Sequence, residues 1–150
     1  GYLLKGGDVF VKVYATDLKS FVVQKGAVIQ TEGLFVTADS INIIANEGGK
    51  ADLHVKADHL KYNGTTGASV ALNGSVEVQE INLTFGASLD ATDFVSKQTF
   101  VTINGGGKAE VHATVSADVK TRAGGTVNVY GNPTERKQKR LAGGSITFVN

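Results

Sequence analysis

The sequence predicts an all-β protein built as a single-stranded parallel β-solenoid of about seven coils, each about 19 residues long. Three observations lead to this fold class. Pairs rich in glycine and alanine recur about every 19.5 residues, apolar and polar residues alternate behind each pair, and no stretch of ten residues has helical periodicity. The length of 150 residues favours one domain, so we expect these coils to occupy residues 1–150.

Composition excludes several classes of protein. Lys and Arg number 15 against 14 Asp and Glu, so no charge excess favours nucleic-acid or membrane-surface binding. The chain has 19 Gly, one Pro and no Cys, which removes disulfides, thiolate chemistry and Cys-ligated zinc. It has no apolar run long enough for a transmembrane segment. Because Met is also absent, we expect Gly1–Asn150 to be a mature or trimmed piece, so that any signal peptide or lipid anchor would lie upstream.

The repeated pairs define the first strand of each coil. Their second members are Ala27, Ala51, Ala68, Ala87, Ala109, Gly125 and Gly144. Of the fourteen positions two and four residues past these anchors, thirteen are apolar, whereas the residue directly after the anchor is polar in six of seven cases. This alternation predicts strands with one buried face.

A second strand precedes each anchor, and an Ala-Asp step often introduces it. Ala38-Asp39 leads into Ile41 and Ile43, Ala57-Asp58 leads into Leu60 and Tyr62, and Val101 and Ile103 occupy the same place in a later coil. Some coils carry a third apolar pair, such as Val76 and Val78. Asn-Gly steps at 63–64, 73–74 and 104–105 predict turns, because both residues tolerate positive φ.

Two architectures use many short strands at this spacing. An antiparallel sandwich would need hairpins, and its neighbouring strands would not share one repeating register. A parallel solenoid stacks each coil on the one before, so that equivalent residues form columns, and it requires a fixed period. The regular spacing therefore favours the solenoid.

The C-terminal part resembles a known family. Val127-Asn128-Val129-Tyr130-Gly131-Asn132-Pro133, a basic stretch, and then Ala142-Gly143-Gly144-Ser145-Ile146-Thr147-Phe148 resemble the ending of the head GIN domain family of putative auto-transporter adhesins. The resemblance implies a right-handed parallel β-helix in an exported protein of the Gram-negative envelope, of a kind common in Bacteroidetes, and it implies no activity. It also implies that the N-terminal part of the family domain is missing, since Tyr2-Leu3-Leu4 begins part-way through it.

One outward-facing polar patch could carry chemistry. It comprises Asp52, His54, Asp90, Glu110 and His112, with Asp90 and His112 expected on adjacent coils about 4.8 Å apart. Such a set could form a metal site, or an acid and base as in polysaccharide-cleaving β-helices. We favour a solvated sheet face instead, because two coils separate His54 from His112. We therefore expect no catalytic residues, metal or cofactor.

A basic patch follows near the C-terminus, at Arg136, Lys137, Lys139 and Arg140. It could bind anionic glycans, lipid headgroups or nucleic acid, but charge on the last coils also prevents strand-to-strand aggregation, and we favour that role. Most aromatic residues, including Phe100, are expected to face inward as core.

Three functions from different classes are consistent with these observations. The first is a non-catalytic, exported module that binds an unknown glycan or protein ligand at the cell surface. The family resemblance implies that this module lies in the periplasm, in an outer-membrane lipoprotein or at the surface of a Gram-negative bacterium. The second is a structural solenoid that forms a homo-oligomer or filament through its open ends. The third, ranked last, is a polysaccharide lyase or hydrolase that uses Asp90.

Overall fold

The structure, a computed structural model, describes residues 2–4, 10–12 and 20–149. These residues form strands and turns, and no helix occurs among them. The strands are β1 (Tyr2–Leu4), β2 (Phe10–Lys12), β3 (Ser20–Val23), β4 (Val28–Ala45), β5 (Lys50–Thr65), β6 (Ser69–Thr84), β7 (Ser88–Asn104), β8 (Lys108–Arg122), β9 (Thr126–Tyr130), β10 (Glu135–Leu141) and β11 (Ser145–Phe148).

Every strand pair in the described residues is parallel, and each strand pairs with the equivalent part of the next coil. The order is β1-β3-β4-β5-β6-β7-β8-β9-β11, with β2 on β4 and β10 on β8. Lys50 pairs with Ser69, Ser69 with Ser88, and Ser88 with Lys108. The parallel β-solenoid is thereby confirmed, with about seven turns, and the antiparallel sandwich is wrong.

Each long strand bends into three straight segments, which we call walls. In β6 the first wall buries Val70 and Leu72, the second buries Val76, and the third buries Ile81 and Leu83. Between walls, two or more successive residues lie outside, which breaks the alternation and lets the chain turn around the core. The first wall follows the turn of each coil and the third wall precedes it.

Like residues stack in columns inside the solenoid. Leu53, Val70, Val111 and Val127 are all buried on the first wall and belong to one continuous apolar core. The inward positions predicted two and four residues past the anchors are therefore confirmed through β9. In the last coil, Ile146 and Phe148 are only partly buried against the core.

A tight turn of two left-handed residues connects the third wall to the first wall of the next coil. Thr66 and Gly67 have φ values of 50° and 73°, and the Ala68 N–H donates to the Thr65 carbonyl at 3.2 Å. Positive φ at both central residues is the geometry of a type I′ turn. The turns also stack, because the Gly67 N–H donates to the Phe85 carbonyl of the next coil at 3.3 Å.

The turns show that two predicted anchors were wrong by two residues. In the second and fifth turns the equivalents of Ala27 are Gly49 and Gly107, and not Ala51 and Ala109. Because a shift of two preserves the alternation of a strand, the buried faces were still predicted correctly. The alignment of residues from one coil to the next was predicted wrongly at these two turns.

The Asn-Gly steps have three different roles. Asn104-Gly105 is a turn as predicted, but Asn63-Gly64 lies within β5, so a turn there is wrong. A Cβ on Gly64 would lie 2.4 Å from the Tyr62 hydroxyl, so this glycine provides space in the core for the tyrosine. Asn73-Gly74 lies within β6, so a turn there is also wrong. Gly74 lies at the bend between the first and second walls with φ of 120°, where a Cβ would approach the Val55 carbonyl oxygen to 2.0 Å.

A small polar network interrupts the apolar core. The buried Gln79 amide donates to Ser96 Oγ at 3.2 Å and to Thr99 Oγ1 at 2.9 Å. Ser96 donates in turn to the His112 carbonyl at 2.7 Å, so the Thr99 hydroxyl donates to Ser96, 2.6 Å away. The Gln79 Oε1 atom is buried without a hydrogen-bond partner.

Candidate functional site

The outer surface of the first wall carries most of the predicted polar patch. One column there contains Asp52, Asp90 and Glu110, because β-pairing joins Asp52 to Ala71, Ala71 to Asp90, and Asp90 to Glu110. The predicted position of His112 beside Asp90 on the adjacent coil is wrong. The two-residue error in the anchor Ala109 is the cause.

Asp90 therefore has Glu110, and not His112, as its partner on the adjacent coil. The Thr92 hydroxyl connects the two carboxylates: it donates to Asp90 Oδ1 at 2.9 Å and lies 3.3 Å from Glu110 Oε2. Lys108 Nζ lies 3.1 Å from Glu110 Oε1 and offsets part of the negative charge. His112 pairs with Val95, and its Nδ1 lies 3.3 Å from the Thr92 carbonyl oxygen.

The other two residues of the patch lie elsewhere on this wall. Asp52 is exposed, two coils from Asp90 in the same column. His54 lies beside Asn73 of the next coil, and its backbone N–H donates to Thr31 Oγ1 at 2.8 Å. Within residues 2–4, 10–12 and 20–149, no group of three His, Asp or Glu side chains has a geometry that could hold a metal ion.

This arrangement limits the chemistry of the patch. Asp90 is exposed, Glu110 is ion-paired, and both line a depression of about 360 Å³ that is open to water. An acid and base of a hydrolase normally act in a cleft that encloses the substrate and excludes most of the water. The patch instead presents hydroxyl, carboxylate and imidazole groups side by side to solvent.

The predicted basic patch forms β10 and divides between the two sides of that strand. Lys137 and Lys139 align with Asp118 and Lys120 on the outer surface. Arg136 and Arg140 align with the buried Ala117 and Thr121, so they occupy positions that face the core in earlier coils. The four residues are exposed in this last coil.

Arg136 is held in place by three contacts. Its Nε donates to the Pro133 carbonyl at 2.9 Å, and an Nη2 hydrogen bond reaches Asn132 Oδ1. Its guanidinium carbon lies 4.9 Å from the centre of the Phe148 ring. Arg136 therefore closes the last coil, and Lys137 and Lys139 remain as the outward basic residues of the strand.

A groove that the sequence pattern did not indicate runs along the solenoid where the second wall meets the third. Two columns of outward residues border it, and we call them the groove columns. The first contains Ser40, His59, Val78, Gln98, Ser116 and Glu135. The second contains Asn42, Lys61, Glu80, Phe100, Asp118 and Lys137.

Two depressions lie in this groove. One of about 430 Å³ extends over three coils from Ser40 to Glu80, and one of about 230 Å³ extends over the next three from Gln98 to Lys137. Phe100 lies in the second and is 42% exposed, so the prediction that it faces inward is wrong. The alternation could have shown this, because the neighbouring Val101 is an inward residue.

In the part of the chain that the structure describes, no helix has the length and apolar character needed to cross a bilayer.

Comparisons with known proteins agree on the fold. The family model described as "Putative auto-transporter adhesin, head GIN domain" matches residues 3–133. A crystal structure of a putative adhesin from Bacteroides fragilis matches with a TM-score of 0.82 and 19% sequence identity. The match covers 88% of this chain and 61% of that one, so the chain spans less than two thirds of that protein's length. No curated protein matches the sequence.

Proposed function

Since the chain belongs to the head GIN domain family of putative auto-transporter adhesins, we propose that it is a non-catalytic binding module, exported to the Gram-negative cell surface, that attaches to a glycan or protein ligand. The observation that carries the proposal is the in-register stacking of polar side chains on outward columns. Equivalent residues repeat at roughly 4.8 Å along a rigid rod, which suits an extended ligand that makes many weak contacts.

The open position of the acidic residues supports a role without catalysis. Asp90 and Glu110 share the Thr92 hydroxyl in an open depression, where water would reach any bound substrate. Catalytic carboxylates gain their altered proton affinity from burial and from the exclusion of water.

The charged last coil opposes the alternative function, growth into filaments by end-to-end stacking. A second copy that stacked on β10 would bring its own core against Arg136, Gln138 and Arg140, in place of residues such as Val119. Burying two more guanidinium groups between apolar cores carries a large desolvation cost. Inward-pointing charge is also a known means of protecting a sheet edge.

The proposal is tested by attachment. Beads that carry the purified domain are applied to surfaces coated with mucin, fibronectin, collagen or neutral polysaccharides, and beads that carry serum albumin are the control. We expect retention on at least one coating above the albumin beads. Retention equal to albumin on every coating would contradict the binding role. New reducing ends released from the polysaccharides, and lost in Asp90→Ala, would contradict the non-catalytic role.

A further inference from the structure

The groove columns form a continuous strip across six coils, from Ser40 and Asn42 to Glu135 and Lys137. Five strand spacings of roughly 4.8 Å give the strip a length of about 24 Å. The floor of the groove is formed by the inward-facing residues that lie between the two columns, such as Ile41, Leu60 and Ala117. A ligand in the groove would therefore run along the solenoid axis and cross the strands.

The character of the groove indicates what kind of polymer fits. A peptide that adds to a sheet needs a row of unpaired backbone N–H and C=O groups. Here the backbone already pairs from coil to coil, as between His59 and Val78 or Gln98 and Ser116. The groove thus offers side chains only, and its ligand must supply its own hydrogen-bonding groups.

The charges of the groove argue against a polyanion. The two columns contain two lysines, Lys61 and Lys137, against the three carboxylates of Glu80, Asp118 and Glu135. Positive and negative groups therefore nearly balance along the strip. A highly sulfated or phosphorylated chain would find no excess of positive charge there.

Phe100 gives the groove an exposed apolar surface among polar neighbours. Glu80 and Asp118 lie on either side of it in the same column, and Gln98 lies beside it in the other column. A pyranose ring combines an apolar face of C–H groups with a rim of hydroxyls, so it can cover the aromatic ring and hydrogen-bond to the flanking groups. A larger depression of about 580 Å³ on the second wall is lined by polar, charged and alanine residues without an aromatic ring.

We propose that this groove binds a neutral polysaccharide lengthwise, with Phe100 stacked against one sugar ring and Lys61 hydrogen-bonded to a sugar two coils away. This inference rests on the proposed binding function, and it specifies the ligand class and the surface.

The test is affinity electrophoresis of the intact chain in native gels that contain dextran, mannan, xylan or mixed-linkage β-glucan, with heparin as the polyanion. The groove variants are Phe100→Ser and Lys61→Ala. The matched control is Phe85→Ser, which removes a 72% exposed ring at a turn outside the groove. Far-ultraviolet circular dichroism and thermal melting verify that each variant is folded.

We expect at least one neutral polysaccharide to retard the wild type. Phe100→Ser should raise the apparent dissociation constant about tenfold, and Lys61→Ala should raise it about threefold. Phe85→Ser should match the wild type. Equal retardation of Phe100→Ser and Phe85→Ser would overturn the groove assignment, and retardation by heparin alone would overturn the neutral ligand class. If no neutral polysaccharide retards the wild type, the inference fails, whereas bead attachment to a protein coating would still support the proposed function.

Discussion

The guanidinium carbon of Arg136 lies 4.9 Å from the centre of the Phe148 ring, across the interior of the last coil. Both residues occupy positions that hold buried side chains in the coil before: Arg136 follows Ala117, and Phe148 follows Val129. The end of the core is thus covered by a cation on an aromatic ring. Such a pair tolerates water on its outer side, which aliphatic residues in the same place would not.

The closure of the last coil can be tested with Arg136→Lys. Lysine keeps the charge but loses the planar group that lies over Phe148 and donates to the Pro133 carbonyl. We expect the free energy of unfolding to fall by about 1–2 kcal/mol in urea titrations. The control, Lys137→Ala on the outer side of β10, should stay within about 0.5 kcal/mol of wild type. Equal effects of the two substitutions would show that Arg136 has no closing role.

Backbone geometry at the Gly74 bend predicts a severe effect of a single methyl group. In Gly74→Ala the new Cβ would lie 2.0 Å from the Val55 carbonyl oxygen, and φ of 120° is strained for any other residue. We expect a loss of more than about 3 kcal/mol in the free energy of unfolding. The control is Gly67→Ala, where φ is 73° and no atom lies within 4 Å of the Cβ. It should cost only about 1 kcal/mol; a Gly74→Ala protein as stable as this control would refute the close contact.

The burial of Tyr62 makes the free energy of unfolding depend on pH in the alkaline range. Burial raises the pKa of its hydroxyl above the ordinary tyrosine value of 10.0. As pH rises, the hydroxyl therefore loses its proton at a lower pH in the unfolded chain than in the folded one. The contribution of neutral Tyr62 to the free energy of unfolding is complete below pH 10 and is lost as pH rises further. Tyr62→Phe should be about 1 kcal/mol less stable at pH 7, because the hydrogen bond to the Ser88 carbonyl is lost.

This difference should shrink above pH 10 by up to about 1.4 kcal/mol per pH unit. Comparing the two proteins removes the lysine titrations that they share. Urea titrations from pH 7 to pH 11 measure the effect, and a difference that stays constant over this range would contradict a neutral, buried Tyr62.

The pairing of Asp90 with Glu110 places two carboxylates on adjacent coils, and like charges in this arrangement destabilise a sheet. Asp90→Asn keeps an oxygen acceptor for Thr92 and removes one charge. We expect it to raise the free energy of unfolding by about 0.5 kcal/mol at low ionic strength. The gain should disappear at 1 M salt because the repulsion is screened.

Asp118→Asn is the matched control for this repulsion. Asp118 aligns with Lys137 on the next coil, so its removal should leave stability unchanged or slightly lower at low salt. An Asp90→Asn protein that is less stable than wild type would show that the carboxylates do not repel each other.

The fold was predictable because it depends on alternation, which a strand repeats every two residues. The anchors Ala51 and Ala109 were wrong by two, and yet Leu53 and Val111 are buried as predicted. The site was less predictable, since neighbours on adjacent coils depend on the register between coils. An error of two residues replaced Glu110 by His112 as the partner of Asp90.

Features that involve three-dimensional proximity were beyond the sequence pattern. The contact of Arg136 with Phe148 joins two strands across the core, and nothing in either local sequence indicates it. The exposure of Phe100 is a different case. Because Val101 faces inward, the alternation of the strand requires its neighbour Phe100 to face outward. The general tendency of aromatic residues to be buried predicted the wrong side for Phe100.

The buried network of Gln79, Ser96 and Thr99 can be tested by removing it in part and in full. Ser96→Ala leaves the Gln79 amide and the His112 carbonyl with fewer partners, so we expect a loss of about 2 kcal/mol. The triple variant Gln79→Leu, Ser96→Ala, Thr99→Val removes all three polar side chains, so that only the His112 carbonyl loses a partner, and it should be within about 1 kcal/mol of wild type. Chemical denaturation compares them, and a triple variant weaker than the single one would contradict this.

A chain of repeated, similar coils can misfold by a register shift of one coil. A coil that pairs with the wrong neighbour still buries aliphatic side chains against aliphatic side chains. The hydroxyls of Ser96 and Thr99 and the amide of Gln79 are complementary only when their two coils are neighbours in the proper sequence. A shifted register would leave the Gln79 amide buried without hydrogen-bond partners. These three side chains therefore specify which two coils are neighbours in an otherwise repetitive stack. They favour the one register in which every column of outward residues is complete.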